Sequence, residues 1–330
     1  MKRFLTVMPV LLALAAFAGC GGDDEDQLTI YSGREEELIG SLIDEIAERE
    51  DIEVEVRYGE TPQLAATIRE EGEDSPADVF FSQDAGALGA LASEGLLVQL
   101  PQDVLGKVSA RFRAEDGTWV GTSGRARVIA YGEDVRRSDL PPSVLDLTDP
   151  EWKGRVAWAP TNGSFQAFVT GMRETLGEGR TRDWLEGMVA NDTQAYEDNS
   201  AIRDAIAANE IDAGLINHYY VAEAKKEDPD YPVEVYFPPN DIGSMINVAG
   251  VGILASSENN EEALLFVRDL LTPPSQRYLA DGELEYPLVP GVKPDPSLRP
   301  LSQVPDPGVN LSSIDNLEGT LKLLQETGAL

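Results

Sequence analysis

Apolar positions along this chain keep changing their period. Residues 28–31 form a short apolar run broken by Ser32-Gly33, as a buried strand would be. Leu38, Ile39, Leu42, Ile43 and Ile46 then recur at three- and four-residue spacing. Glu35, Glu36 and Glu37 precede them, where acids favour a helix start. Residues 52–58 alternate at period two and predict a half-exposed strand, and Pro62 suits the first turn of the next helix. The pattern continues with a strand over 78–81 and a helix over 84–95. Further elements follow at 128–131, 155–158, 166–176, 199–208, 211–215 and 217–225. Strands near 233–237 and 248–254 and helices over 261–271, 274–281 and 316–327 close the chain. Such alternation predicts an α/β fold with mostly parallel sheets flanked by helices. Two polar segments, Gly121–Gly124 and Pro238–Gly243, are candidate crossings between lobes. A stretch over 287–307 holds seven prolines and reads as an extended connection.

Composition narrows the function. The 330 residues carry 59 acids against 26 bases, a formal charge of −33. Such a surface opposes nucleic-acid phosphate and accumulates cations. A single cysteine and a single histidine exclude a disulfide framework and any multi-cysteine or multi-histidine metal site.

The first residues read as an address. Met1-Lys2-Arg3 precedes an apolar run from Phe4 to Ala18, which ends in Phe17-Ala18-Gly19-Cys20. A basic start, a run too short to span comfortably and small residues before a cut make an export signal. Its end resembles a bacterial lipobox, which implies cleavage after residue 19 and lipidation of Cys20. Residues 20–26 are then an acidic tether, and the protein is expected outside the cytoplasm, anchored to a membrane.

Several places could carry chemistry. Tyr219-Tyr220 follows a strand at a predicted helix start, and ligands of open α/β sheets bind beyond the carboxyl ends of strands. Phenolate is a hard, anionic oxygen donor, suited to a hard trivalent cation that can ionise it at neutral pH. The same two letters also suit a core ring beside a surface ring. Pro160-Thr-Asn-Gly-Ser-Phe165 offers Asn162, Gly163 and Ser164 at a helix N-terminus, where they could hold an oxyanion or simply cap the helix. Within Ser123-Gly-Arg-Ala-Arg127, a guanidinium could grip phosphate or carbonate bidentately or offset local acids at the surface. Asp198-Asn199-Ser200 reads as another helix start, and Glu35 and Gln83 each follow an N-terminal strand.

In their order these segments resemble the bacterial ferric-iron-binding proteins, substrate-binding components of iron(III) ABC importers. The resemblance rests on Ile30-Tyr-Ser-Gly-Arg34, Ser75-Pro-Ala-Asp-Val-Phe-Phe81, Ser123–Arg127, Pro160–Phe165 and Asn199-Ser200. Leu215-Ile-Asn-His-Tyr-Tyr220 and Glu285-Tyr-Pro-Leu288 complete it, across nearly the whole mature chain. It implies the two-lobed type 2 periplasmic binding protein fold, with two crossover strands and a central cleft. The lobes expected are residues 27–124 with 245–290 and residues 125–244 with 291–330.

The resemblance also implies ferric iron as cargo and Tyr219 and Tyr220 as phenolate ligands. A synergistic anion such as phosphate or carbonate would be held by Asn162, Gly163, Ser164, Asn199 and Asn217. An ABC permease with its ATPase is the implied partner, and a monomer without enzymatic activity is expected. Where the family places a histidine and a glutamate on the N-terminal lobe, this chain has Glu35 and Gln83. Glu35 keeps a hard anionic donor, and Gln83 is a neutral donor or a hydrogen-bonder to bound water. Alternatively Arg34 and Arg125 face the cleft and pair with a larger anion. His218 is expected at the surface or behind the ligands. Two other functions stay open: a receptor for a phosphonate on the same fold, and a hydrolase using paired carboxylates such as Glu35 and Asp84.

Overall fold

A computed structural model describes residues 27–330; the export signal, Cys20 and the tether expected for residues 1–26 lie outside them. The chain begins with β1 (Gln27–Ser32), α1 (Glu36–Glu50), β2 (Glu53–Tyr58), α2 (Thr61–Glu71), β3 (Val79–Ser82) and α3 (Ala85–Ser93). A short α4 (Gln102–Leu105) leads into the 14-residue β4 (Trp119–Gly132). Next come β5 (Val156–Trp158), α5 (Gly163–Leu176), α6 (Glu178–Ala190), β6 (Gln194–Ala195), α7 (Asn199–Ala207), β7 (Ala213–Asn217) and α8 (Tyr219–Glu227). The chain ends with β8 (Val233–Tyr236), β9 (Ile246–Ile253), α9 (Asn260–Leu270), α10 (Pro273–Gly282), β10 (Tyr286–Pro287) and α11 (Leu317–Thr327).

Two sheets share one strand. β1 pairs in parallel with β2 and β3, and β3 pairs antiparallel with β9. The first half of β4 runs antiparallel to β9, down to the pair Ala126–Ile246. From Arg127 onward β4 changes partner and runs antiparallel to β7, which is parallel to β5 and, through it, to β6. The sheets are therefore mixed rather than mostly parallel: β4, which passes between them, and β9 beside it both run against their neighbours.

Burial follows the patterns that specify it. β3 and β7 are buried throughout, as strands covered on both faces must be. β2 alternates: Val54, Val56 and Tyr58 face inward and Glu53, Glu55 and Arg57 outward, charging an edge that would otherwise pair with another chain. The inward stripe of α1 is Ile39, Leu42, Ile43 and Ile46. α6 buries Thr181, Trp184, Leu185 and Met188, a stripe at three- and four-residue spacing. The proline-rich stretch forms no long element; beyond it α11 packs on α5 and α6. Among the described residues, no helix is long and apolar enough to cross a membrane.

Candidate metal and anion site

The carboxyl ends of β1, β3, β5 and β7 meet around one cleft of about 580 Å³. Two parallel strands from each sheet point at it, and β4 crosses its floor at Arg125.

Two turns shape the wall from the first sheet. After β1, the Ser32 hydroxyl donates to the Arg34 carbonyl (2.8 Å) and accepts from the Arg34 N–H (3.1 Å), closing a tight turn. Gly33 is required there, because a Cβ would stand 1.9 Å from the Thr61 Oγ1. That Thr61 oxygen in turn accepts the Gln83 N–H at 3.1 Å, tying together the loops that carry Glu35 and Gln83. Glu35 is exposed at the start of α1. Gln83 turns its Oε1 inward, where the atom is buried with no partner among the described residues.

The opposite wall comes from two helix starts. Asn162 caps α5: its Oδ1 accepts the Ser164 N–H at 3.1 Å and the Ser164 hydroxyl at 2.6 Å. Tyr219 and Tyr220 form the first turn of α8, whose N-cap, His218, offers no side-chain cap. Their rings stack with centroids 4.4 Å apart and planes 28° off, and both are half-buried and open into the cleft. Burial raises the Tyr219 phenol well above its ordinary value, and the neighbouring Tyr220 raises it further. Burial raises Tyr220 as well, against the pull of Tyr219 and Arg125. Both are thus protonated phenols at neutral pH.

Of the residues singled out from sequence, Arg34, Glu35, Gln83, Arg125, Asn162, Gly163, Ser164, Asn217, Tyr219 and Tyr220 all line this cleft. Asn199 does not line it. Its Oδ1 lies one layer behind, accepting the Asn217 N–H at 3.1 Å. His218 is buried rather than at the surface. Its ring stacks flat on Tyr286 (4.4 Å, 4°), and its Nδ1 accepts the Ala126 N–H at 3.3 Å. Burial pushes His218 down to about 3, so it stays neutral.

Two residues that carry much of the site's electrostatics were visible only as parts of motifs. Glu285 is buried and accepts from Arg34 Nη1 through both oxygens (3.0 and 3.1 Å), from Arg125 Nη1 at 3.4 Å, and from the Ser123 hydroxyl. Leu284 before it holds φ at 51°, a left-handed conformation costing about 1–3 kcal/mol. The Leu284 side chain is buried, as is the carboxylate that follows it. Arg127 is the other, buried beneath Ser164.

Asp84, the acid that a paired-carboxylate hydrolase would set against Glu35, also lines the cleft but is engaged in capping a helix. Asp84 is the N-cap of α3, its Oδ1 accepting the Gly86 and Ala87 N–H groups at 2.8 and 3.1 Å. Among the described residues, no cluster of three or more His, Cys, Asp and Glu could hold a metal.

Residues 74–306 match the family of bacterial extracellular solute-binding proteins. This chain belongs to that family. The solute-binding protein is 32% identical to the Fe(3+)-binding periplasmic protein of Serratia marcescens, over 99% of each chain. Among solved structures it is similar to iron-bound HitA from Pseudomonas aeruginosa, with 33% identity and a TM-score of 0.85 over 92% of this chain and 99% of that one. It is also similar to the Trichodesmium protein IdiA (FutA) in complex with iron and citrate. That likeness has 30% identity and a TM-score of 0.81 over 92% of this chain and 99% of the other. The two-lobed type 2 fold expected from the sequence is the fold of these neighbours.

Proposed function

We propose that this solute-binding protein takes up ferric iron as cargo, together with a small oxyanion, and passes it to an ABC permease and its ATPase. The observation that carries the reading is the stacked pair Tyr219–Tyr220, whose hydroxyl-bearing rings open into the same cleft as Glu35, Gln83 and the Asn162–Ser164 helix start. Two phenolates and the Glu35 carboxylate would balance the three charges of Fe³⁺ inside the cleft, and the anion's charge would fall to the buried arginines beside it. Gln83 Oε1, buried without a partner among the described residues, would accept from a water on the metal or bind it directly. Asn217, with Asn199 behind it, would complete the anion's cradle.

The names of the relatives in Serratia, Pseudomonas and Trichodesmium support the cargo. Closure would be a hinge motion of residues 27–124 with 245–290 against 125–244 with 291–330. The partner exchange along β4 at Ala126–Arg127 supports a boundary there. Lipidation of Cys20 would keep the protein at the membrane that houses its permease.

Thermal unfolding with candidate ligands tests the cargo. Ferric citrate should raise Tm in proportion to RT ln(1 + [L]/Kd), and phosphonates without iron should leave it nearly unchanged. Stabilisation by phosphonates alone would make Arg34, Arg125 and the α5 start the primary site, with the tyrosines merely stacking.

A further inference from the structure

Three buried arginines stand at or behind the cleft, and two of them meet on one buried carboxylate. Arg34 and Arg125 share Glu285. Arg127 is only 3% exposed and, among the described residues, has no carboxylate partner. Its guanidinium is held by neutral groups alone. Nη2 donates to Ser164 Oγ at 3.1 Å, and Nη1 donates to Asn199 Oδ1 at 3.4 Å and the Leu215 carbonyl at 3.3 Å. Nε, buried, has no partner among the described residues, and the Phe168 ring lies 5.5 Å from the guanidinium carbon. Burial pulls Arg127 down to about 10, so it remains charged at neutral pH.

A buried charge without a counter-charge is expensive, and natural interiors pair such charges or bind something opposite. The acids nearby, Glu285, Asp84 and Glu283, act on Arg34 and Arg125, which leaves Arg127 the one of the three without a carboxylate of its own among the described residues. The nearest opening to it is the cleft wall at Ser164 and Asn217, residues shared by the cleft and by a chamber of about 10 Å³ against Arg127. Arg127 also touches both halves of the anion cradle. It donates to Ser164, which donates to Asn162, and to Asn199, which accepts from Asn217.

We propose that Arg127 is the positioning residue of the anion site: from behind Ser164 and Asn199 it fixes the cradle and supplies positive charge that favours an oxyanion there. This deepens the iron-and-anion reading and rests on it only for the purpose the anion serves. Arg127 does not line the cleft. Its effect therefore passes through Ser164 and Asn199 and through its field.

The test uses the iron-free full chain with inorganic phosphate and bicarbonate as probes, read by calorimetry and by the ligand-induced rise in Tm. Arg127→Gln keeps a donor for Ser164 but loses the charge, and should weaken phosphate by about tenfold or more. Arg127→Lys should recover part of that loss. A purely structural role would lower Tm equally with and without phosphate and leave the dissociation constant alone. Phosphate binding to Arg127→Gln as tight as to wild type overturns the proposal. So does a wild type that binds neither anion. A parallel titration with ferric citrate keeps the two readings apart. A wild type that binds no iron but loses phosphate on Arg127→Gln refutes the iron cargo and supports the role of Arg127.

Discussion

Replacing Tyr219 and Tyr220 together by Phe is expected to weaken ferric-iron binding by more than about 100-fold, beyond the range seen when only outer partners of a metal site are lost. Competition against citrate measures it. The exchange removes two oxygens and leaves the stacked rings, so stability should change little. The single variants should each lose less than the double. The pH dependence has a definite sign: burial keeps both phenols protonated in the iron-free protein, so binding expels protons. Affinity should therefore rise with pH in the wild type and lose that slope in the double variant. An affinity unaffected by the double exchange would remove the tyrosines from the site.

The second large effect concerns stability. Glu285→Gln leaves Arg34 and Arg125 buried without their carboxylate and should cost about 3–5 kcal/mol. At a few degrees per kcal/mol for a chain of this size class, Tm should fall by roughly 10 °C. Burial alone would raise the Glu285 carboxyl, but Arg34, Arg125 and the Ser123 hydroxyl outweigh it and hold it below its ordinary 4.5. The folded value is thus the lower one. Its contribution is complete above the ordinary carboxylate range and is lost as pH falls through the folded value. The gap between wild type and Glu285→Gln should be wide at neutral pH and narrow in acid. A gap independent of pH would mean that shape, not charge, is what Glu285 contributes.

The two effects also show which parts of the molecule could be read from its letters. Helix stripes such as that of α1 and the alternation of β2 were plain, because a single face is buried and the period is regular. β4 was harder. Gly121-Thr-Ser-Gly124 looks like a loop, yet it lies inside a buried strand. The Thr122 hydroxyl donates to the Ala249 carbonyl, and the Ser123 hydroxyl is taken by Glu285. Polar letters fit a buried strand when distant residues satisfy them, and no local window contains those partners. The start of α5 at Gly163 rather than near 166 has a similar cause, since its first turn faces the cleft and carries no apolar stripe.

The same reasoning covers the site. That Tyr219, Tyr220 and the Asn162–Ser164 turn share one cleft was legible because each follows a strand end, where α/β folds place ligands, while their roles came only from the family resemblance. Arg127 was legible only in part: the Ser123–Arg127 segment offered two guanidiniums that could grip an anion or offset surface acids, with nothing local to choose between them. Its burial depends on Asn199, Ser164 and Leu215, each 37 or more residues away. Glu285 was visible only as part of a family landmark, and its partners at 34 and 125 are contributed by other elements entirely.

One absorption titration bears most directly on the central claim. Ferric citrate added to the purified protein should bring up a visible phenolate-to-iron charge-transfer band that saturates at one iron per chain and strengthens with phosphate. Tyr219→Phe/Tyr220→Phe should stay colourless. Iron bound without that colour, or a band that survives the double exchange, would contradict the account.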